Sequence, residues 1–327
     1  MRRMRSRWPR VGWSWDLVHA SKYTALAPVL SALIPGLETA ARTMRTEALQ
    51  HEARELLADT YQATAAAMAK MGEADAAWIA ADRAAFTAET IGAPLTVAAS
   101  MFRMAHVFLS LGQVDQAQQV AAGTAQSLEA IVAADPPVEA LSLYGALHLV
   151  LAIAAARDND RERAHQHLAT AEQVAERIGE DRDDYGTEFG PSNVAIHAVA
   201  VAVELGDAGH ALDLAKKADP ASLSAERRSR YLLDLATAHA MRRQIGEALH
   251  DLQEAERIAP EQTRAHRVAR EVTRELLQLS GLRPRPELRD LAERFGVLGG
   301  LKRSEQFRPV VSRLPEALAP RTLRLVS

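Results

Sequence analysis

Residues Gly246–Pro260, GEALHDLQEAERIAP, read as the second helix of a helix–turn–helix repeat. Gly246 falls in the turn, Ala248 and Ala255 stand seven apart on one face, and Leu252 lies between them. Pro260 stops the helix, because proline lacks the N–H and its ring clashes with the preceding turn. The small side chains carry the information: alanine on a packed face lets a second helix approach closely, as an antiparallel pair with a short turn requires.

The same frame recurs four times upstream. Ala77, Ala117, Ala164 and Ala211 align with Ala248, and four residues later stand Ala81, Ala121, Leu168, Ala215 and Leu252. Seven later come Ala84, Thr124, Ala171, Ala218 and Ala255; twelve earlier, across the turn, come Ala65, Ala105, Ala152, Val199 and Ala236. The turns carry Gly72, Gly112, Asn159 and Gly206, residues that tolerate the positive φ of a tight turn. The spacings of 40, 47, 47 and 37 residues exceed the ~34 of a minimal two-helix repeat, so helices or loops are extended.

Composition agrees. The 327 residues are 48% hydrophobic but only 5% aromatic, a core of Ala, Leu and Val that suits close-packed helices. Runs of β-branched residues bounded by turn signals are scarce, so no sheet is expected. No segment is expected to reach the ~20 apolar residues of a membrane span; the longest candidate, Leu147–Ala156, is interrupted by His148 and stopped by Arg157. No apolar stretch follows the N-terminal arginines, so no secretory signal is visible and a cytoplasmic protein is expected. The absence of cysteine excludes disulfides, thiolate metal sites and cysteine nucleophiles.

The net charge of −3 hides an asymmetry. Residues 1–10 hold five arginines and no acid, and residues 283–327 hold ten basic against five acidic groups, which leaves a surplus of thirteen acidic charges on residues 11–282. An acidic body is a poor surface for duplex DNA, where each favourable phosphate contact needs a cation.

In order, residues 1–15 read as a basic leader in which Trp8, Trp13 and Trp15 cap the first repeat, and residues 16–46 as N-terminal capping helices. Within the latter, Ser21–Leu33 and Leu37–Met44 are separated by a break at Pro35–Gly36. Residues 47–260 hold five pairs: Glu47–Met71 with Glu73–Ile91, Leu95–Leu111 with Val114–Ala133, Val138–Arg157 with Asp160–Ile178, Val194–Leu205 with Ala208–Ala218, and Ala225–Arg242 with Glu247–Ala259. An acidic connection, Gly179–Pro191, divides the third pair from the fourth. Residues 261–297 read as C-terminal caps, with helices at Thr263–Leu279 and Glu287–Phe295, and residues 298–327 as a weakly ordered basic tail.

The segments LLADTYQATAAAMAKMGEADAAWIAADRA (56–84), LYGALHLVLAIAAARDNDRERAHQHL (143–168), FGPSNVAIHAVAVAVELGDAG (189–209), ERRSRYLLDLATAHA (226–240) and EALHDLQEAERIAPEQTR (247–264) carry a resemblance. Over residues 15–297 the chain resembles the tetratricopeptide regulatory region of actinobacterial helix-turn-helix (XRE-type) transcriptional regulators, FGPSNVAIH being its most specific part. The resemblance implies an all-α, TPR-like α-solenoid, a right-handed superhelix of about five helix pairs with capping helices, and a role in transcriptional control. Only about fifteen residues precede the match where the family usually carries its DNA-binding domain, so DNA is expected as an indirect or weak partner.

Motifs for chemistry are few. ELRDLAERFGV (287–297) looks like the first helix of a DNA-reading unit, but Leu298–Gly299–Gly300 follows and Pro309 occupies the space of a recognition helix; a terminal helix packed on the last cap is the better reading. Asp181, Asp183, Asp184 and Glu188 crowd one loop, yet counted from Asp181 the fifth and twelfth positions of a calcium loop are Tyr185 and Ser192. Instead Tyr185 and Phe189 are expected to pin the loop to neighbouring helices, with Ser192 or Asn193 capping the next helix. His165 and His167 lie on different helix faces and are expected to face solvent. With no HExxH, GxSxG or P-loop pattern, no enzyme, metal or cofactor is expected.

The inner face of the stacked pairs remains. Counting back from the register alanines places Gln62, Phe102, Arg103, His106, His197 and Asp234 on it, with Asn193 and Arg230 one turn nearer the helix starts. This groove reads as mostly apolar with scattered polar groups, suited to a hydrophobic peptide, a small ligand or the protein's own terminal helix. The expected function is a non-catalytic interaction module with a protein or peptide partner, self-association included. The alternatives are DNA binding through the basic ends and a small-ligand sensor or carrier.

Overall fold

The computed structural model describes residues 10–133, 135–281 and 283–298. Among them the chain is all-helical, with fifteen α-helices and no β-strand. In order these are α1 (Arg10–His19), α2 (Tyr23–Thr43), α3 (Glu47–Met71), α4 (Ala74–Thr90), α5 (Pro94–Ser110), α6 (Val114–Val132), α7 (Val138–Arg157) and α8 (Arg161–Ile178). After a long loop come α9 (Pro191–Glu204), α10 (Ala208–Ala215), α11 (Ala225–Met241), α12 (Ile245–Ile258), α13 (Pro260–Ala265), α14 (Arg267–Ser280) and α15 (Pro286–Arg294).

The helices start and stop for local reasons. Thr46, Asp160 and Ser224 each accept a backbone N–H from the first turn of α3, α8 and α11, satisfying donors that have no partner within the helix. The turns within the first four pairs reverse through Gly72 (φ 79°), Gly112 (φ 73°), Asn159 (φ 58°) and Gly206 (φ 79°). In the fifth pair the left-handed residue is Arg243 (φ 58°), and Gly246 lies inside α12 rather than in the turn.

The register alanines Ala77, Ala117, Ala164, Ala211 and Ala248 are all fully buried, as are Ala105, Ala152, Val199 and Ala236 across the turns. Each first helix of a pair also touches the first helix of the next, so α3, α5, α7, α9 and α11 form a continuous wall. The frame weakens only at α10, which ends at Ala215 and leaves Ala218 outside the helix.

Several boundaries depart from the sequence reading. α2 runs unbroken through Pro28 and Pro35. An internal proline costs ~3 kcal/mol, whereas burying Leu30, Leu33, Ile34 and Leu37, each at most 2% exposed, contributes about 1.5–3 kcal/mol per side chain. Residues 10–15, read as leader, belong to α1, while residues 1–9 and 299–327, and with them most of the tail, lie outside the described residues. Pro260 ends α12 but also opens α13 at its first position, where proline has no bond to lose. The helix expected over Thr263–Leu279 is divided at His266 (ψ 130°), whose Nδ1 accepts the N–H of Val268.

Contrary to the run-length reading, α2 and α7 are long and apolar enough to cross a membrane by length and composition. For α7 the apolarity has a packing reason: it touches α5, α6, α8 and α9, and 72% of its most apolar window is buried inside the protein, against 44% for α2.

The two ends of the helical row meet. Ser21 Oγ and the Tyr23 hydroxyl both donate to Gln262 Oε1 (3.0 and 2.7 Å), and Thr24 donates through N and Oγ1 to Glu261 (2.8 and 2.9 Å). Gln262 Nε2 in turn donates to the Glu226 carbonyl (3.3 Å). Gln262→Ala strands the buried Tyr23 hydroxyl, so it is expected to cost about 1–3 kcal/mol. Urea unfolding, with protease protection of α1 and α2, measures it; unchanged protection would contradict the seam.

Candidate functional site

The loop between α8 and α9 folds inward across the wall of first helices. Its local geometry is demanding: Tyr185 (φ 52°), Gly186 (φ 65°) and Glu188 (φ 48°) are left-handed, and Arg182 N donates to Phe189 O (2.9 Å) to close the loop. The acidic residues are consumed by this folding. Asp184 accepts from Arg182 (2.8 and 3.1 Å) and Ser142 (2.7 Å), and Glu188 accepts from Ser224 N and Oγ (3.0 and 2.9 Å). Asp181 accepts the N–H of Ser192 (2.9 Å) at the start of α9. That role was expected of Ser192 or Asn193, but no side chain of α9's own start caps it. Among the described residues no cluster of three or more metal-ligating side chains occurs.

Four consecutive carbonyls of this loop are held by side chains from three helices. Arg103 Nη2 on α5 donates to Tyr185 O (2.6 Å) and Gly186 O (2.7 Å), Arg227 Nη2 on α11 to Thr187 O (3.1 Å), and Asn193 Nδ2 on α9 to Glu188 O (2.8 Å). Phe189 is fully buried against Gly145 of α7. From the other side α1 closes over the loop. Trp15 Nε1 donates to Asp59 (2.7 Å), its ring lies 4.7 Å from the Arg103 guanidinium carbon, and it covers Gly186 so tightly that a Cβ there would sit 2.5 Å from the ring. His19 stands 3.5 Å from Asp183 and 3.8 Å from Glu188.

Charged groups line this interior more densely than the sequence reading allowed. Lys70 on α3 pairs with Glu226, and Arg227 Nε lies 3.5 Å from Glu226 and 3.6 Å from Glu188. Arg230 pairs with Asp234 (3.0 Å) and meets His266 Nε2 (3.1 Å). Burial, with Arg227 next, lowers Arg103 to about 10 and His197 to about 3, and drives His106 well below 6.5. Burial raises Asp234 to about 6 in spite of Arg230. His106 and His197 are nevertheless only half-buried as residues.

Of the eight residues expected on the inner face, Phe102, Arg103, His106, Asn193 and His197 are brought together around the loop. Phe102 and His106 form an edge-on pair (4.6 Å, 86°), and His197 Nδ1 contacts Asn193 O (2.8 Å). Gln62 instead joins α3 to α5, donating to Ser100 (3.1 Å). Arg230 and Asp234 form a neighbouring patch towards His266. The face is not mostly apolar, because Lys70, Glu226 and Arg227 were missed. Glu226 and Arg227 lie one helical turn before Arg230, so extending the same helix face by a turn would have found them. His167 is also displaced from expectation: it is half-buried, its Nδ1 3.1 Å from that of His148.

These histidines give the fold a pH dependence. Burial lowers His106, His148 (to about 4), His197 and His266, so the folded chain binds fewer protons than the unfolded chain below pH 6.5. Each contributes stability that is complete above 6.5 and lost as pH falls. Asp183, Asp234 and Asp251, raised by burial, act oppositely: their contribution is present below the ordinary 3.8 and lost as pH rises through their folded values. The histidines outnumber them. Folding stability, read from urea unfolding, is therefore expected to fall between pH 7 and pH 5, by about 1.4 kcal/mol per pH unit for each proton separating the two states. His197→Gln flattens the profile; a profile rising towards acid would contradict this balance.

A separate open crevice of about 390 Å³ lies between α2, α3 and α4, lined by Glu38, Arg42, Arg54, Leu57, Phe86 and Thr90 among others. Phe86 is 67% exposed there. Neither a protein-family model nor a curated protein matches this chain.

Proposed function

We propose that this chain is a non-catalytic regulatory and interaction module in transcriptional control, built as a TPR-like right-handed superhelix whose inner face holds a ligand or partner segment. The observation that carries the reading is the grip on Tyr185–Glu188, whose four carbonyls are taken by Arg103, Arg227 and Asn193 from three helices. Side-chain donors reading successive backbone carbonyls are what a bound peptide would meet, and here the chain's own loop takes that place. The register alanines, buried in every pair, support the repeat architecture. In such an architecture each repeat contacts its neighbours, so a change at the inner face shifts curvature at small cost.

Mechanistically, an occupant that competes for Arg103, Arg227 and Asn193 loosens the loop and α1, and thereby alters the seam at Gln262 and the surfaces beyond it. A partner protein or a second copy of the chain reads that change. DNA contact comes through the partner, and the setting is cytoplasmic. Affinity capture of the full chain from producing cells, together with light scattering, tests the reading. Recovery of a DNA-binding regulator, or a defined dimer, supports it; a strictly monomeric chain with no partner sinks it.

A further inference from the structure

Helix α4 leaves two large aromatic side chains in solvent, Trp78 (37% exposed) and Phe86 (67%). Apolar side chains scattered singly over a surface need no explanation, but these two share a face. Asp75, Trp78, Asp82, Phe86 and Glu89 follow one another at steps of three and four, and all are exposed. That spacing sets them in one ridge along the helix, with carboxylates before, between and after the rings.

Phe86 also lines the open crevice between α2, α3 and α4, so ridge and crevice lie side by side. Ala41 and Leu57 supply apolar lining, and three charged groups join them: Glu38, Arg42 and Arg54. Glu38 is already held, by Arg83 (3.6 Å) and by the Tyr61 hydroxyl, which donates to it (2.7 Å). Among the described residues the side chains of Arg42 and Arg54 form no ion pair or hydrogen bond, nor do those of Asp75, Asp82 and Glu89. Two unmatched guanidinium groups therefore border the crevice, and unmatched carboxylates stand one turn to either side of the ring that lines it. Exposed ion pairs alone contribute little to affinity. Burying an aromatic anchor supplies the affinity, and complementary charges fix the orientation.

We propose that this face is the interface of a two-fold dimer, in which Phe86 of each copy enters the other's crevice while Asp82 and Glu89 meet the other's Arg42 and Arg54. A second copy is the occupant because the chain itself carries what the crevice lacks, an aromatic ring flanked by carboxylates. The two halves share one face, so a two-fold axis makes every contact twice. This deepens the proposed function, resting on its reading of self-association, and names the surface that carries it.

Light scattering and sedimentation of the full chain, over a hundredfold range of concentration, are expected to give a mass that rises to twice the 35.6 kDa of one copy. Phe86→Ser weakens the dimer at least tenfold. So does each of two charge reversals, Arg42→Glu with Arg54→Glu, and Asp82→Arg with Glu89→Arg. Mixed together, the two reversed proteins associate again, because both contacts of the mixed pair then join opposite charges. These side chains are exposed or half-buried, so replacing them is expected to leave the fold intact, which circular dichroism checks. Should a reversal fail to fold, Phe86→Ser still decides. A chain monomeric throughout, a dimer undiminished by Phe86→Ser or by either reversal, or folded reversed proteins that stay apart when mixed overturns the proposal. A monomer that still recovers a DNA-binding regulator overturns this surface alone; a monomer with no partner overturns the proposed function with it.

Discussion

Replacing Phe189 by alanine is expected to lower folding stability by about 3–5 kcal/mol, the range for truncating a buried aromatic side chain. Phe189 is fully buried and lies directly over Gly145 in the middle of α7, where a Cβ would meet the ring at 2.0 Å. The expectation is sharpened by the reciprocal change. Gly145→Ala alone forces the ring out and is also expected to be strongly destabilising. In the Phe189→Ala background the same substitution fills vacated space and adds up to ~1 kcal/mol of helix preference, so its sign reverses. Urea midpoints of the four proteins measure this cycle. Additive losses would show that the loop does not rest on Gly145, and the inward-folded loop would have to be abandoned with it.

Truncating Glu226 is the second large effect. Its carboxylate is shared by Lys70 from the first helix pair, Arg227 beside it, and Gln262 Nε2 (3.3 Å) from the seam. Removing one member of a buried ionic set leaves the others uncompensated, so Glu226→Ala is expected to cost about 3–5 kcal/mol. Lys70→Met is expected to cost less, because the lysine side chain is 25% exposed and Glu226 retains Arg227. The order of the two losses is the test: an equal or larger effect of Lys70→Met would place the anchoring charge elsewhere. Burial pushes the Glu226 carboxyl upward, but Lys70 and Arg227 outweigh it and hold it below its ordinary 4.5. The stability this carboxylate contributes is therefore present above pH 4.5 and lost as pH falls through its lowered value. The gap between Glu226→Gln and the native protein should stay constant from pH 7 to 5 and close only in strong acid.

Both predictions concern groups that the sequence could not place. Glu226 and Lys70 are 156 residues apart, and Tyr23 and Gln262 are 239 apart. No local pattern joins them. Phe189 was legible as a residue that pins its loop, but not as one that fills the space above Gly145. The inner-face positions fared better, since counting back from a buried alanine along a helix of known period names one face wherever the helix is regular. That counting brought Arg103, His106, Asn193 and His197 to the site, stopped one turn short of Arg227, and put Gln62 on the face when its amide lies in the seam with α5.

By itself the sequence determined the five helix pairs, the turns of the first four and the packed faces of their helices, because apolar spacing and left-handed turn residues act over a few residues each. Only the tertiary structure decided that α2 continues through two prolines, that the ends of the helical row join at Gln262, and that a loop and α1 occupy the interior. The physical reason is one of range: helix formation is settled by neighbours along the chain. Burial strong enough to override a proline, and the pairing of buried charges, depend on residues that meet only once the whole chain has folded.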